Sequence, residues 1–205
     1  MRVLAIDCAT EACSAALFDG ARLLDGRCEV LGRGHAERLV PMIAELPEKG
    51  HADRILVSLG PGSFTGVRIG LATARALGVA WGAEVLGYPT LELVRARSWQ
   101  PAPRAVTVCM NGGHGEYFLQ NFDESGSPED DVMSLSPDAA ARTARHQVIV
   151  GNRAEELAAL LGDGRLALPL LPDANYTYLL HKTRLTSDLT PIYGRGPDAT
   201  PQVRR

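Results

Sequence analysis

The sequence predicts a two-lobed α/β protein whose mixed sheets are flanked by helices, and three observations carry that expectation. The first hundred residues read as three hairpin-linked strands and then strands separated by helices, in the order β-β-β-α-β-α-β. Ser98 to Arg104, with Pro101 and Pro103, reads as a linker. Beyond it the same order of elements returns in looser form. The expected lobes are residues 1–100 and a smaller, less regular 101–205, whose last residues pack back on the first.

Val3 to Ile6 and Ala12 to Phe18 are short apolar strands, and Asp19-Gly20 turns the chain into a third over Arg22 to Val30. Gly32-Arg33-Gly34 breaks the pattern. A helix follows from near His35 to Leu46, with Leu39, Val40, Ile43 and Leu46 on one face. Pro41 must kink that helix or delay its start, because a mid-helix proline costs about 3 kcal/mol. Arg54 to Leu59 is a buried strand closed by Gly-Pro. Residues 66 to about 82 form a helix, Glu84 to Gly87 a strand, and Thr90 to about Ala96 another helix.

In the second half, Ala105–Met110 and Tyr117–Phe122 are strands joined by a glycine-rich turn at Asn111–Gly115. Asp123 to Asp131 is a polar hairpin loop. Ser136 caps a helix through Ala144, Val148–Val150 is a strand, and Arg153–Leu161 a helix. Tyr176 to Leu185 reads as helical.

Composition bounds the function. A hydrophobic share of 45% supplies a sizeable core, while a net charge of −3 and a pI near 6.0 argue against binding a polyanion unaided. Any nucleic acid would be held mainly by a partner's cations. Cys8, Cys13, Cys28 and Cys109 form no CxxC pair and no zinc-ligand spacing, as expected of free thiols in a reducing compartment. Asp7 and Glu11 interrupt any apolar leader, so the expected address is cytoplasmic, with no membrane association.

The run Gly60-Pro61-Gly62-Ser63-Phe64-Thr65-Gly66-Val67-Arg68-Ile69-Gly70 joins a strand to a helix through a glycine turn. Such a turn aims free N–H groups and a positive helix end at whatever lies above it. Asp7 and Thr10, at the first strand's turn, could orient a metal-bound phosphate, and with Gly60, Gly62, Ser63 and Thr65 they form a candidate phosphate-facing loop. The chemistry is incomplete, however. A Walker loop needs Lys-Ser/Thr where Val67-Arg68 stands, and a dinucleotide fingerprint needs its third glycine one residue earlier than Gly66. The alternative is structural: Ser63 or Thr65 caps the helix, and Asp7 and Thr10 satisfy their own turn.

The helix that follows carries Gly70, Ala74 and Gly78 at four-residue spacing, with Ala72, Ala76 and Ala80 beside them. Two interior glycines cost roughly 1 kcal/mol each against alanine. Close approach of another backbone would offset that, from within the domain or across an interface. The five histidines never fall at i,i+3 or i,i+4, so no two share one helix face as metal ligands. No G-x-S-x-G elbow is present, and Arg195 could pair with Asp198 near the C-terminus.

Together these residues resemble a known family. The opening Met1-Arg2-Val3-Leu4-Ala5-Ile6-Asp7-x-Ala9-Thr10 resembles the phosphate-loop start of the actin/hexokinase/Hsp70-type (ASKHA) fold. The glycine run through Leu71 closely resembles the signature of the bacterial TsaB (YeaZ) proteins. His35-Ala36-Glu37-Arg38-Leu39 and the ending Pro191-x-Tyr193-x-Arg195-x-Pro197-Asp198-Ala199 are similar to that family's corresponding segments.

The resemblance implies a non-catalytic subunit of the machinery that places threonylcarbamoyl on N6 of adenosine 37 in tRNAs reading codons that begin with A. The transferase there is a paralogue, TsaD, bound as a heterodimer, with the ATPase TsaE joining the complex and tRNA met mainly through it. TsaD carries a metal-binding His-x3-His where Thr90 and Val94 stand here, so no metal and no catalytic residue is expected in this chain. The implied partner interface comprises His35, Leu39, Ile43, Arg68, Gly70, Leu71, Ala74 and Gly78, through which a homodimer could also form. No resident cofactor is expected beyond ATP or ADP at the boundary shared with TsaD. Family members show an Asp-Ala-Arg-like turn where Asn111-Gly112-Gly113-His114 precedes Gly115-Glu116 here. The rival expectations are a stand-alone ATP-dependent phosphotransferase and a metallo-glycopeptidase of the same superfamily.

Overall fold

A computed structural model describes residues 1–99, 102–162 and 164–194. The first lobe contains β1 (Arg2–Asp7), β2 (Ala12–Asp19), β3 (Arg22–Val30), α1 (His35–Ala44), β4 (Arg54–Ser58), α2 (Phe64–Trp81), β5 (Glu84–Tyr88) and α3 (Thr90–Ser98). Its strands lie in the order β3-β2-β1-β4-β5. β1 pairs antiparallel with β2, and β2 with β3, whereas β1–β4 and β4–β5 are parallel. The second lobe contains β6 (Val106–Gly113), β7 (Glu116–Phe122), β8 (Met133–Leu135), α4 (Pro137–Thr143), β9 (Val148–Val150), α5 (Ala154–Leu161) and β10 (Leu166–Leu168). Its order, β8-β7-β6-β9-β10, and its pairing directions repeat those of the first. Two copies of one mixed-sheet topology, each flanked by helices, constitute the actin/hexokinase-like architecture.

Each face of the first sheet is sealed by different elements. Leu39, Met42 and Ile43 of α1, with Val67, Leu71 and Ala74 of α2, pack on Leu4, Ile6, Ala15, Leu17, Ile55 and Val57. On the reverse face Val3, Ala5, Ala16, Phe18 and Leu56 meet Leu93 of α3 and Ala174. α3 also turns Leu91 and Val94 onto the second sheet, against Val106, Val108 and Phe118. Serving both lobes, this helix has no solvated stripe. Even its Glu92 and Arg95 are buried, paired at 3.2 Å, with Arg184 closing on Glu92 at 3.3 Å.

Several local expectations change. α1 keeps Pro41 inside a continuous helix, because Pro41 lies on the exposed side, where the carbonyl robbed of its helical donor meets water. β6 runs through the expected turn as far as Gly113, leaving Gly113, His114 and Gly115 at positive φ to reverse the chain. Tyr176–Leu185 is not α-helical. Two 3-10 turns, Ala174–Leu179 and Lys182–Arg184, replace the helix, capped by the Asp173 and His181 side chains. Short strands β8 and β10 fall where no strand was assigned. Over residues 186–194 the chain returns to the first lobe: Thr186 bridges Gly87, and Ile192 N–H donates to Leu59 O at 2.8 Å. Arg195, Pro197, Asp198 and Ala199 lie outside the described residues.

Candidate functional site

The glycine loop is built inward. Ser63 caps α2, its hydroxyl accepting Gly66 N–H at 3.2 Å, while Ser63 N–H donates to Ala9 O at 2.7 Å. A Cβ at Gly62 would run into Ala9 O, and one at Gly66 into Cys8 O. The glycines therefore let α2 and its loop rest directly on the backbone of the β1–β2 turn. Gly60, at φ +92°, accepts Thr90 N–H at 2.8 Å.

Asp7 belongs to this internal scaffold. It is 1% exposed, and its Oδ1 accepts Ala9 N–H at 2.9 Å while Tyr88 Oη donates to Oδ2 at 3.1 Å. Burial pushes its carboxyl up to about 6, against the opposing pull of the Ala9, Tyr88 and Ser58 hydrogen bonds. Thr10 Oγ1 accepts Ala12 N–H at 3.2 Å. Of the expected phosphate-facing set, Asp7 is buried in internal hydrogen bonds, Gly60 and Gly62 pack closely on neighbouring backbone, Thr65 is exposed on α2, and Thr10 and Ser63 line the cleft.

That cleft, about 220 Å³, lies between the lobes at the carboxyl ends of β1 and β6 and is lined by Ala9, Thr10, Glu11, Gly32, Ser63, Asn111 and Asn152. Crevices of this kind are where open α/β sheets take ligands. Its lining holds one carboxylate and no cation, a poor match to a polyphosphate. Asn152 Nδ2 donates to both Glu11 oxygens at 2.9 and 3.0 Å, and Asn152 Oδ1 accepts Asn111 N–H at 2.8 Å. Glu11 and Asn152 escaped the sequence reading. The signal was there in Val148-Ile149-Val150-Gly151-Asn152, a strand-glycine-helix junction like the one at residues 54–66.

The helical interface residues divide by face. His35, Leu39, Ile43, Gly70, Leu71, Ala74 and Gly78 are buried beneath their own lobe and form no outer surface. His35 Nε2 lies 2.9 Å from Thr10 O, pinning α1 to the β1–β2 turn. At Gly78 a Cβ would stand 2.5 Å from Val85 Cγ2, so the small-residue stripe is fitted to β4 and β5 rather than to another molecule. The adjoining row faces outward: Ala72, Ala76 and Ala80 are exposed, Val79 is 88% exposed, and on neighbouring α1 Val40 is 55% exposed. Of the expected interface set, Arg68 alone is on this outer side. It stacks 3.5 Å over Phe64 and donates to Tyr193 Oη at 3.2 Å.

Where TsaD is expected to hold metal, Thr90 Oγ1 lies 2.5 Å from Ser58 Oγ, and Val94 is fully buried in the second-lobe core. These groups do not fit a metal ion. Among the described residues no three His, Cys, Asp or Glu side chains converge as a metal site, and no helix is long and apolar enough to cross a membrane.

Residues 28–189 match the family model described as TsaD, tRNA N6-adenosine threonylcarbamoyltransferase. The chain is 31% identical to the tRNA threonylcarbamoyladenosine biosynthesis protein TsaB of Escherichia coli, over 95% of each chain. It is 31% identical to the tRNA N6-adenosine threonylcarbamoyltransferase of Bartonella bacilliformis, over 69% of this chain and 42% of that protein. YeaZ from Pseudomonas aeruginosa superposes with a TM-score of 0.76 at 26% identity, covering 94% of this chain and 99% of that one. The chain belongs to the TsaB (YeaZ) family of tRNA threonylcarbamoyladenosine biosynthesis proteins.

Proposed function

We propose that this protein is a non-catalytic subunit that binds and activates a TsaD-type transferase for N6-threonylcarbamoylation of adenosine 37 in tRNAs reading codons that begin with A. The outer face of α1 and α2 carries this reading: small and apolar residues are left facing solvent on two packed helices whose inner faces are already filled. Alanine at Ala72, Ala76 and Ala80 lets a second helix approach closely, and Val40 and Val79 supply the apolar area. A partner sharing this fold has counterpart helices to set against them, forming a helical bundle. Thr90 and Val94, bonded and packed where the paralogue holds its metal, support a role without bond chemistry.

The same face pairs two copies of this chain when the transferase is absent. The cationless cleft takes ATP or ADP only where the partner completes it, so nucleotide binds at their shared boundary. TsaE joins the assembled pair, which holds tRNA in the cytoplasm. Co-purification with the transferase of the same genome tests the reading, comparing the parent with Val79→Asp. A charged side chain at this open position should separate the two proteins and leave the fold intact. Full retention of the transferase by a folded Val79→Asp variant would exclude this face.

A further inference from the structure

The chain's return segment, residues 186–194, is fastened along α2. Arg75 Nη2 donates to Leu189 O at 3.1 Å, Arg68 Nη2 donates to Tyr193 Oη at 3.2 Å, and the Tyr193 and Phe64 rings stand 5.6 Å apart. Arg68 stacks over the Phe64 ring, 3.5 Å from its centroid, and lies 5.8 Å from that of Tyr193. A staple of purely internal use would be covered. Here Phe64 and Tyr193 remain 55% and 40% exposed. Arg68 lies one helical turn before Ala72, so this corner continues the outward row of α2. Exposed aromatic rings stacked on an arginine are the composition in which interface energy concentrates.

Charge specifies the partner. Arg68 and Arg75 are the charged residues of α2, which has no Asp or Glu, and among the described residues neither guanidinium meets a carboxylate. Their acceptors on the return segment, a phenol oxygen and a peptide carbonyl, are neutral and leave donor capacity over. We infer that Phe64, Arg68 and Tyr193 form the anchoring corner of the docking face, where the return segment and α2 together hold an acidic side chain of the partner's facing helix. This rests on the docking reading above and adds to it that residues 186–194 belong to the interface.

The test measures affinity of the full-length chain for the same-genome TsaD-type transferase at about 50 mM and about 500 mM salt. Arg68→Met keeps the stem and removes the charge, so it should weaken binding about 30-fold at low salt and flatten the salt dependence. Arg68→Lys, retaining charge without planar stacking, should fall between Arg68→Met and the parent while keeping the salt dependence. Tyr193→Ala should weaken binding about 10-fold. Melting temperatures check the fold, and if Tyr193→Ala is destabilised, the surface pair Arg68→Met and Arg68→Lys decides. Binding by both Arg68 variants within about twofold of the parent, with Val79→Asp still disruptive, would overturn the anchor and leave the docking face standing. Undiminished binding by Val79→Asp would overturn both.

Discussion

Asn152 clasps Glu11 across 141 residues of sequence, its amide nitrogen 2.9 and 3.0 Å from the two carboxylate oxygens. The bond ties the β1–β2 turn of one lobe to the β9–α5 junction of the other, directly over the cleft. Hydrogen bonds to a charged group contribute about 1.5–3 kcal/mol. Asn152→Ala should therefore lower stability to urea by about 1–3 kcal/mol. The Asn111 amide, which donates to Asn152 Oδ1, should exchange faster with deuterium in that variant. Unchanged stability of Asn152→Ala would show that the lobes are held elsewhere.

The glycines of α2 should respond to alanine with opposite signs. At Gly70 an added Cβ meets Val57 Cγ2 at 3.6 Å, an ordinary contact, so Gly70→Ala should stabilise by up to about 1 kcal/mol through helix propensity. At Gly66 the same methyl runs into Cys8 O, a backbone atom that cannot yield without moving β1, and Gly66→Ala should cost about 1–3 kcal/mol. Thermal unfolding of the two variants measures the contrast. Two shifts of the same sign would refute this packing of α2 on the β1–β2 turn.

Asp7 gives a pH signature. Its folded-state value is raised from 3.8 to about 6, chiefly by burial, so the folded chain binds the proton more tightly than the unfolded one. The stabilisation this provides is present below pH 4 and is lost as pH rises through 6. That rise corresponds to about 3 kcal/mol. Asp7→Asn keeps an acceptor for Ala9 N–H and removes the charge. It should flatten the stability profile between about pH 4 and 6, and at pH 7 should be more stable than the parent by up to about 3 kcal/mol. Chemical denaturation across that range decides it; a parallel slope in the variant would reject the assignment.

What could be read in advance follows from how local each cause is. A cap at Ser63 or Thr65, a strand over Arg54 to Leu59 and the small-residue period of α2 are written in neighbouring residues; Ser63 makes the cap, the strand ends at Ser58, and the period is present. The facing of the stripe was not legible. Spacing shows that Gly70, Ala74 and Gly78 lie together, but only the sheet beneath shows that they point inward and the row of Ala72, Ala76 and Ala80 outward. His35 read as a surface or interface residue because its acceptors, Thr10 O and Ala12 O, are backbone atoms that no side-chain pattern announces. The Tyr176–Leu185 segment had helical letters, yet Asp173 and His181 each accept a backbone N–H at the start of a separate 3-10 turn, with Leu180 extended between the two turns. Glu11 and Asn152 meet only through the two-lobe arrangement, so nothing local joins them.

The bond from Ile192 to Leu59 and the bridge from Thr186 to Gly87 impose an order on biogenesis. A ribosome that has just delivered α3 has made every strand of the first sheet, yet the contacts that finish its β5 side still await synthesis about a hundred residues downstream. A nascent chain stalled in the second lobe therefore leaves Phe64 and Arg68 without Tyr193, and α2 acquires its completed outer corner only as translation passes that tyrosine.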